Sequence, residues 1–464
     1  MRATAIANIF PEGWSKRGIT LFSASAAVSV LLFSIFFDFR IVLLLSAVIA
    51  FGVFLTKPSA VVYVLVTFAF LRLDAWISSL LSVPFGKLLF AFALLMIFAA
   101  LTLTSMKFNR VSKPVALYTA FLVVYFLIGA VNADGRSMRL WFFDTIYAFT
   151  FFFALYIFIN SYRRLERVIY LLMFLGVVTS AMNVYEFFHP YSLALSHSMG
   201  RSAGLLKNAN TSAFVVNVSF IASFYVLRTV SSMRRGLMIV LLQALYFLGV
   251  FTTFSREGLM VFSAVFVIQL LSLSKRKVAV SIAVLLVIFI GVAASVHYIE
   301  NGAAKDVQMS FTKISSLVQG QVDDNDRLFL LFYHLKRFSL HPLTGNGLYS
   351  ALSYSVPLPG KPGTEVPNGP HNTFVFIMSE AGIFPFLLYS AFLIMVGLRL
   401  RSGPDIELLD GGYRRAEAMR STLLILFFAL FIHNFFSHMM TLSRYSMTLL
   451  ALMSLPRRVR SPGR

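Results

Sequence analysis

The chain has 464 residues, 58% of them hydrophobic, with a mean hydropathy of +0.80, a net charge of +21 and no cysteine. That balance excludes a soluble globular domain as the main body, and the missing thiols exclude disulfide scaffolds and thiolate chemistry. The positive charge forms no basic-aromatic nucleic-acid motif; roughly 25 of the 40 Lys and Arg fall on one side of the apolar runs, the asymmetry of a membrane protein.

Apolar runs of about twenty residues recur along the chain, and in lipid such runs span as helices because the backbone has no other hydrogen-bond partner. They lie at about 19–37, 41–56, 59–73, 87–104, 114–132, 140–160, 168–188, 210–228, 237–254, 258–274, 278–297, 372–398, 420–437 and 440–456. The expected fold is an all-α polytopic membrane protein with about 14 (12–14) transmembrane helices. The first run follows Arg2, Lys16 and Arg17, is too long for a signal-peptide core and lacks a clear cleavage site, so it reads as a retained helix. Asp74 to Val83 reads as a short interfacial helix.

The loops alternate in charge. Lys107, Arg110 and Lys113 share one side with Arg163, Arg164 and Arg167, with Arg228, Arg234 and Arg235, and with Lys275, Arg276 and Lys277. Arg399, Arg401, Arg414, Arg415 and Arg420, then Arg457, Arg458, Arg460 and Arg464, extend the set. This side is expected to be cytoplasmic, together with both termini. On the other side falls one long polar stretch. The expected organisation is a helix bundle over 1–297, an outer loop domain over 298–371 containing short helices, and C-terminal spans over 372–464. Within the loop, Asp326 to Leu340 has helical spacing after the acids Asp323, Asp324 and Asp326, while Pro357 to Pro370 is rich in Pro and Gly and reads as loop.

Four polar features stand out on the outer side. Pro370-His371-Asn372-Thr373 opens a span. Histidine exchanges its proton near neutral pH, so His371 is a candidate general base; the alternative is an interfacial histidine at a helix start. Arg327 can hold a phosphate by two parallel hydrogen bonds, or pair with Asp323 or Asp324. In Thr253-Phe254-Ser255-Arg256-Glu257-Gly258 the connection is so short that Arg256 stays at or within the membrane surface. Charge there is costly and is by default a functional candidate; a local pair with Glu257 is the alternative. Gly200 to Gly204, followed by Lys207-Asn208-Ala209-Asn210, offers Arg201 and Lys207 to an anionic substrate, with Asn210 placed as a helix N-cap.

His433, Asn434 and His438 share a span end, but histidines five apart do not share a helix face, so a metal pair is not expected. Asp144 and Glu380 are candidate buried partners for an arginine. There is no metalloprotease helix, P-loop or Rossmann glycine pattern, and no cofactor or metal is expected.

Taken in order, these pieces resemble the O-antigen ligase and polymerase superfamily of bacterial envelope glycosyltransferases. The matching segments are Arg201 to Gly204 with Asn208 and Asn210; Ser255-Arg256-Glu257-Gly258; Arg327 with Leu331; Pro342 to Gly347; and His371-Asn372-Thr373 through Glu380-Ala381-Gly382. The resemblance implies an inner-membrane enzyme whose long loop is periplasmic and whose donor is a glycan on undecaprenyl diphosphate. It implies transfer to lipid A-core by direct displacement with inversion, without metal or nucleotide. His371 would then be the general base, and Arg256 and Arg327 would grip the diphosphate. Arg201, Lys207, Asn210 and Asn372 would be substrate contacts. A polymerase joining repeat units uses the same donor and remains open. A transporter of a lipid-linked sugar is the reading from another class, but it would gather polar groups near the bilayer midplane instead of at span ends.

Overall fold

The computed structural model describes residues 60–73, 77–78, 91, 93–95, 97, 112–159, 161–189, 202–206, 208–274, 279, 281–283, 325–350, 355–357, 365–367, 369–402, 412–436 and 444–454. The expected spans 19–37 and 41–56 lie outside these residues, as do most of 87–104, 278–297 and the interfacial segment 74–83.

The elements in chain order are α1 (Ala60–Leu71), α2 (Lys113–Gly129), α3 (Gly135–Phe158), α4 (Tyr162–Phe188), a 3-10 turn (Gly204–Leu206), α5 (Ala209–Thr229), α6 (Met233–Phe251) and α7 (Arg256–Ser272). After them come α8 (Asn325–Leu340), strands β1 (Ser355–Pro357) and β2 (Glu365–Pro367), α9 (Thr373–Ala381), α10 (Ile383–Arg401), α11 (Gly412–Phe436) and α12 (Arg444–Ser454). Six of these helices, α3, α4, α5, α6, α10 and the Arg414–Phe436 part of α11, are long and apolar enough to cross a membrane. At 1.5 Å per residue even the 19-residue α6 and α10 reach about 29 Å, close to a hydrocarbon core. The chain is thus a helical, polytopic membrane protein.

Two expectations need correction. The run 372–398 is not one helix: Gly382 takes φ +80° and ψ −166°, conformations closed to other residues, and separates α9 from α10. The outer loop holds more than helices, because β1 and β2 pair antiparallel with Val356 opposite Val366. The helix expected from Asp326 is present as α8.

α5 is the hub. It packs on α4, α6, α7 and α11 and is buried around almost its whole circumference. Small residues let the backbones approach: a Cβ at Gly176 would fall 2.1 Å from that of Ser219, and one at Gly249 would fall 2.5 Å from that of Ser180. Polar side chains then cross-link the packed helices, where lipid offers no competing partner. Asn217 Nδ2 donates to Gly258 O (2.9 Å), Ser219 to Leu172 O (2.6 Å), and Gln243 and Gln269 exchange amide hydrogen bonds (2.8 and 3.2 Å).

The bundle has two distinct ends. At one, Tyr162 donates to Arg415 O (3.0 Å), Tyr225 to Glu166 (2.6 Å), and Ser112 to Ser454 O (3.3 Å). The arginines at 163, 164, 167, 228, 234, 235, 399, 401, 414 and 415 stand on helix termini or connections there. The other end carries the polar features taken up next.

Candidate functional site

The turn between α6 and α7 is the first part. Phe254 is held at φ +48° although it is not glycine and is only 5% exposed. Such backbone costs energy and collects at functional sites. Ser255 caps α7 by accepting from Gly258 N (3.1 Å), and its hydroxyl donates to Asn210 Oδ1 (3.0 Å). This corrects the expected cap: Asn208 Oδ1 accepts from Asn210 N and Thr211 N and starts α5, which leaves the Asn210 side chain for Ser255. Arg256 is the first residue of α7, half-buried. A cation is disfavoured at the positive end of a helix dipole, whereas a helix N-terminus with an arginine on it attracts an anion strongly.

Glu257 does not pair with Arg256. Its carboxylate reaches His433 Nδ1 on α11, and both side chains are almost wholly buried. The His433 ring stands edge-on to Phe214.

The loop before α5 docks on that turn. Ser202 N donates to Thr252 O (3.3 Å), and the N–H groups of Ala203 and Gly204 both donate to buried Glu186 Oε2 (2.7 Å each). Arg201 and Lys207 flank this segment but lie outside the described residues.

The second part is built from α8, the turn after it, and α9. Asn346 N donates to Ser379 O (2.8 Å), Gly347 N to Glu380 O (3.0 Å) and Ile383 N to Pro342 O (3.0 Å). The Asn346 amide joins Arg337 O (3.1 Å) to Ser379 O (2.9 Å), and His334 Nδ1 lies 3.3 Å from the Ser379 hydroxyl. The C-terminal halves of α8 and α9 are therefore clamped together. Arg327 precedes His334 by two helical turns, on the same face, and His371 precedes Ser379 by a similar length of chain. Among the described residues Arg327 has no ion-pair partner. The acids Asp323 and Asp324 lie outside them.

His371 sits at φ +49°, partly exposed. Asn372 then caps α9 by accepting from Phe374 N and Val375 N (3.0 Å each), and its amide reaches Phe435 O on α11 (3.5 Å). Asn132 ties the α2–α3 connection to the same turn through Thr344 (3.2 Å) and Gly345 O (2.8 Å).

Of the two acids expected as buried partners of an arginine, Glu380 is fully buried and accepts from Tyr125 (2.6 Å), whereas Asp144 is exposed and accepts from Tyr349. Burial pushes the Tyr349 phenol far above its ordinary range, and the Asp144 carboxylate beside it adds to the rise. Tyr349 therefore stays protonated and remains a donor.

Beside Asn372 a groove of about 610 Å³ runs between α9, α10 and α11. From Phe435 it passes Phe431 and Phe427 to Gly397, and its walls are almost wholly apolar. Its rim residues Ile394, Phe428 and Phe435 are exposed on the outer surface of the bundle.

Sequence reasoning singled out the cationic and histidine positions but did not name Glu186, Tyr125 or Tyr349, nor the Glu257–His433 contact. For Glu186 and Glu257 the signal was an acid within or beside an apolar run; the tyrosines carried none.

The fold and site define a polytopic membrane protein with a cationic, histidine-bearing polar face at one end of its helix bundle. Residues 239–390 match the family model described as O-antigen ligase, a segment that holds the Arg256 turn, α8 and His371. That segment of the chain is similar to the O-antigen ligase family. No curated protein matches the chain.

Proposed function

We propose that this chain is an O-antigen ligase-like glycosyltransferase that moves a glycan from undecaprenyl diphosphate to lipid A-core at the periplasmic face of the inner membrane. The observation that carries the reading is convergence. Segments distant in sequence are tied together at one bundle end: Ser202 N donates to Thr252 O, Ser255 donates to Asn210, Glu257 holds His433 on α11, and Asn372 reaches Phe435 O on the same helix, so that the N-termini of α5, α7 and α9 are held there. Helix N-termini with arginines suit a diphosphate.

In this reading His371 takes the proton of the acceptor hydroxyl as its oxygen attacks the anomeric carbon. The bond from that carbon to the diphosphate breaks from the opposite face, which inverts the centre. The electron pair leaves on undecaprenyl diphosphate, whose charge Arg256 and Arg327 stabilise. Arg201, Lys207, Asn210 and Asn372 contact the substrates, and the chemistry needs no metal or nucleotide. The apolar groove beginning at Asn372 suits the polyprenyl chain, leaving its head at His371. The arginine-rich opposite end faces the cytoplasm, with both termini.

The test is a lipopolysaccharide gel from cells lacking this chain, complemented with wild type or His371→Ala. Loss of all O-antigen bands with unmodified core remaining, restored only by wild type, supports the ligase. Core bearing a single repeat unit means a polymerase instead. An unchanged ladder refutes both for lipopolysaccharide.

A further inference from the structure

The two groups placed on leaving group and acceptor, Arg256 and His371, lie on different helices and 115 positions apart in sequence. A short path joins them. Arg256 is followed by Glu257, whose carboxylate holds His433; two residues on, Phe435 O accepts from Asn372, the neighbour of His371. The intervening Asn434 is itself pinned, accepting from Tyr389 (3.0 Å) and donating to Leu430 O (2.8 Å), and is fully buried. The C-terminal turn of α11 is thus a rigid spacer between the two halves of the site.

Stability alone does not call for this pair. A buried acid and histidine gain little over apolar residues of the same shape, and breaking one partner away is costly. His433 Nε2 is also buried with no hydrogen-bond partner among the described residues, a further cost. The contact crosses to the helix end that holds Asn372.

Resting on the glycosyltransferase reading above, we infer that Glu257 and His433 are positioning residues that set the distance from the Arg256 guanidinium to the His371 imidazole. Neither touches substrate. They hold the diphosphate and the acceptor hydroxyl in line, so their loss is felt in turnover before it is felt in binding.

The decisive variant is Glu257→Leu with His433→Phe, which removes the link and leaves an apolar pair of similar shape, a replacement that folded proteins generally tolerate. This double variant is expected to melt at or above the wild-type temperature, with kcat down roughly 100-fold and donor KM within about threefold. His433→Asn keeps an amide donor near the Nδ1 position and is expected to hold kcat within about tenfold of wild type. A double variant that turns over like wild type overturns the inference, as does one that loses only donor affinity.

A second readout does not depend on activity. The chain has no cysteine, so paired spin labels at Met260→Cys on α7 and Phe428→Cys on α11, both exposed, report the link alone. The wild-type pair should give one narrow distance distribution and the Leu/Phe background a broad or shifted one. An unchanged distribution overturns the link. If wild type itself transfers no glycan, the functional reading fails on its own and the label distances still judge the link.

Discussion

Gly345→Ala tests whether the α8 turn is the part that seats α9. Gly345 has φ +63°, and an added Cβ would fall 2.3 Å from Glu380 C and 2.4 Å from both Ala381 N and Glu380 O. All three are backbone atoms at the end of α9, so no side chain can rotate away. The left-handed conformation costs about 1–2 kcal/mol without glycine, and forced overpacking costs about 1–3 kcal/mol. If relaxation also breaks the Asn346 N and Gly347 N bonds to α9, about 1 kcal/mol is lost for each. The sum is about 4–7 kcal/mol, a large share of a stability of roughly 5–15 kcal/mol. Thermal unfolding of the purified protein in detergent should show a drop of several degrees, together with loss of transfer as His371 leaves its place. Gly135→Ala is the internal control: it starts α3, is exposed and has nothing within 4 Å of its added Cβ, so its melting should stay at or slightly above wild type. Gly345→Ala melting with wild type would refute the reasoning.

Other outcomes follow from the same geometry. His371→Ala should insert and fold normally and lose transfer by roughly 10²–10⁴-fold; near-normal turnover would remove it as the base. Arg327→Lys keeps charge without the planar fork, so donor turnover should fall at least tenfold, and a silent change would make Arg327 structural. Hydrogen bonds from the Ser137 backbone and hydroxyl hold the Asp134 carboxyl below its usual range. Its contribution to α3 is therefore complete above the unfolded value near 3.8 and is lost as pH falls through the lower folded one. Asp134→Ala should melt below wild type at pH 7, and the gap should close in strong acid.

Apolar length was enough to place most of the described helices, because a membrane helix satisfies its own backbone wherever it packs. It did not reveal the break at Gly382, since the apolar residues run through it without interruption and only the backbone angles mark the change. It put the cap at Asn210 because both Asn208 and Asn210 suit a helix start; the choice depends on Ser255, 45 residues away, which takes the second asparagine. The candidate cations were legible as charge in greasy surroundings. Their supports were not, because Glu186, Glu257 and His433 act across pairs of helices whose adjacency no local pattern encodes. The short strands were hidden in a Pro- and Gly-rich stretch that reads as loop.

The burial of α5 bears on how the chain is made. Of the six long apolar helices it is the least hydropathic, at 1.4 against as much as 2.0, and the most enclosed, with 89% of its core window buried. A helix with so little surface for lipid gains least from entering the bilayer alone, and its Asn217, Ser212 and Ser219 each donate to α4 or α7. During synthesis α5 is therefore expected to stay beside α4 until α6 and α7 emerge, and its enclosure is complete only when α11 has been made.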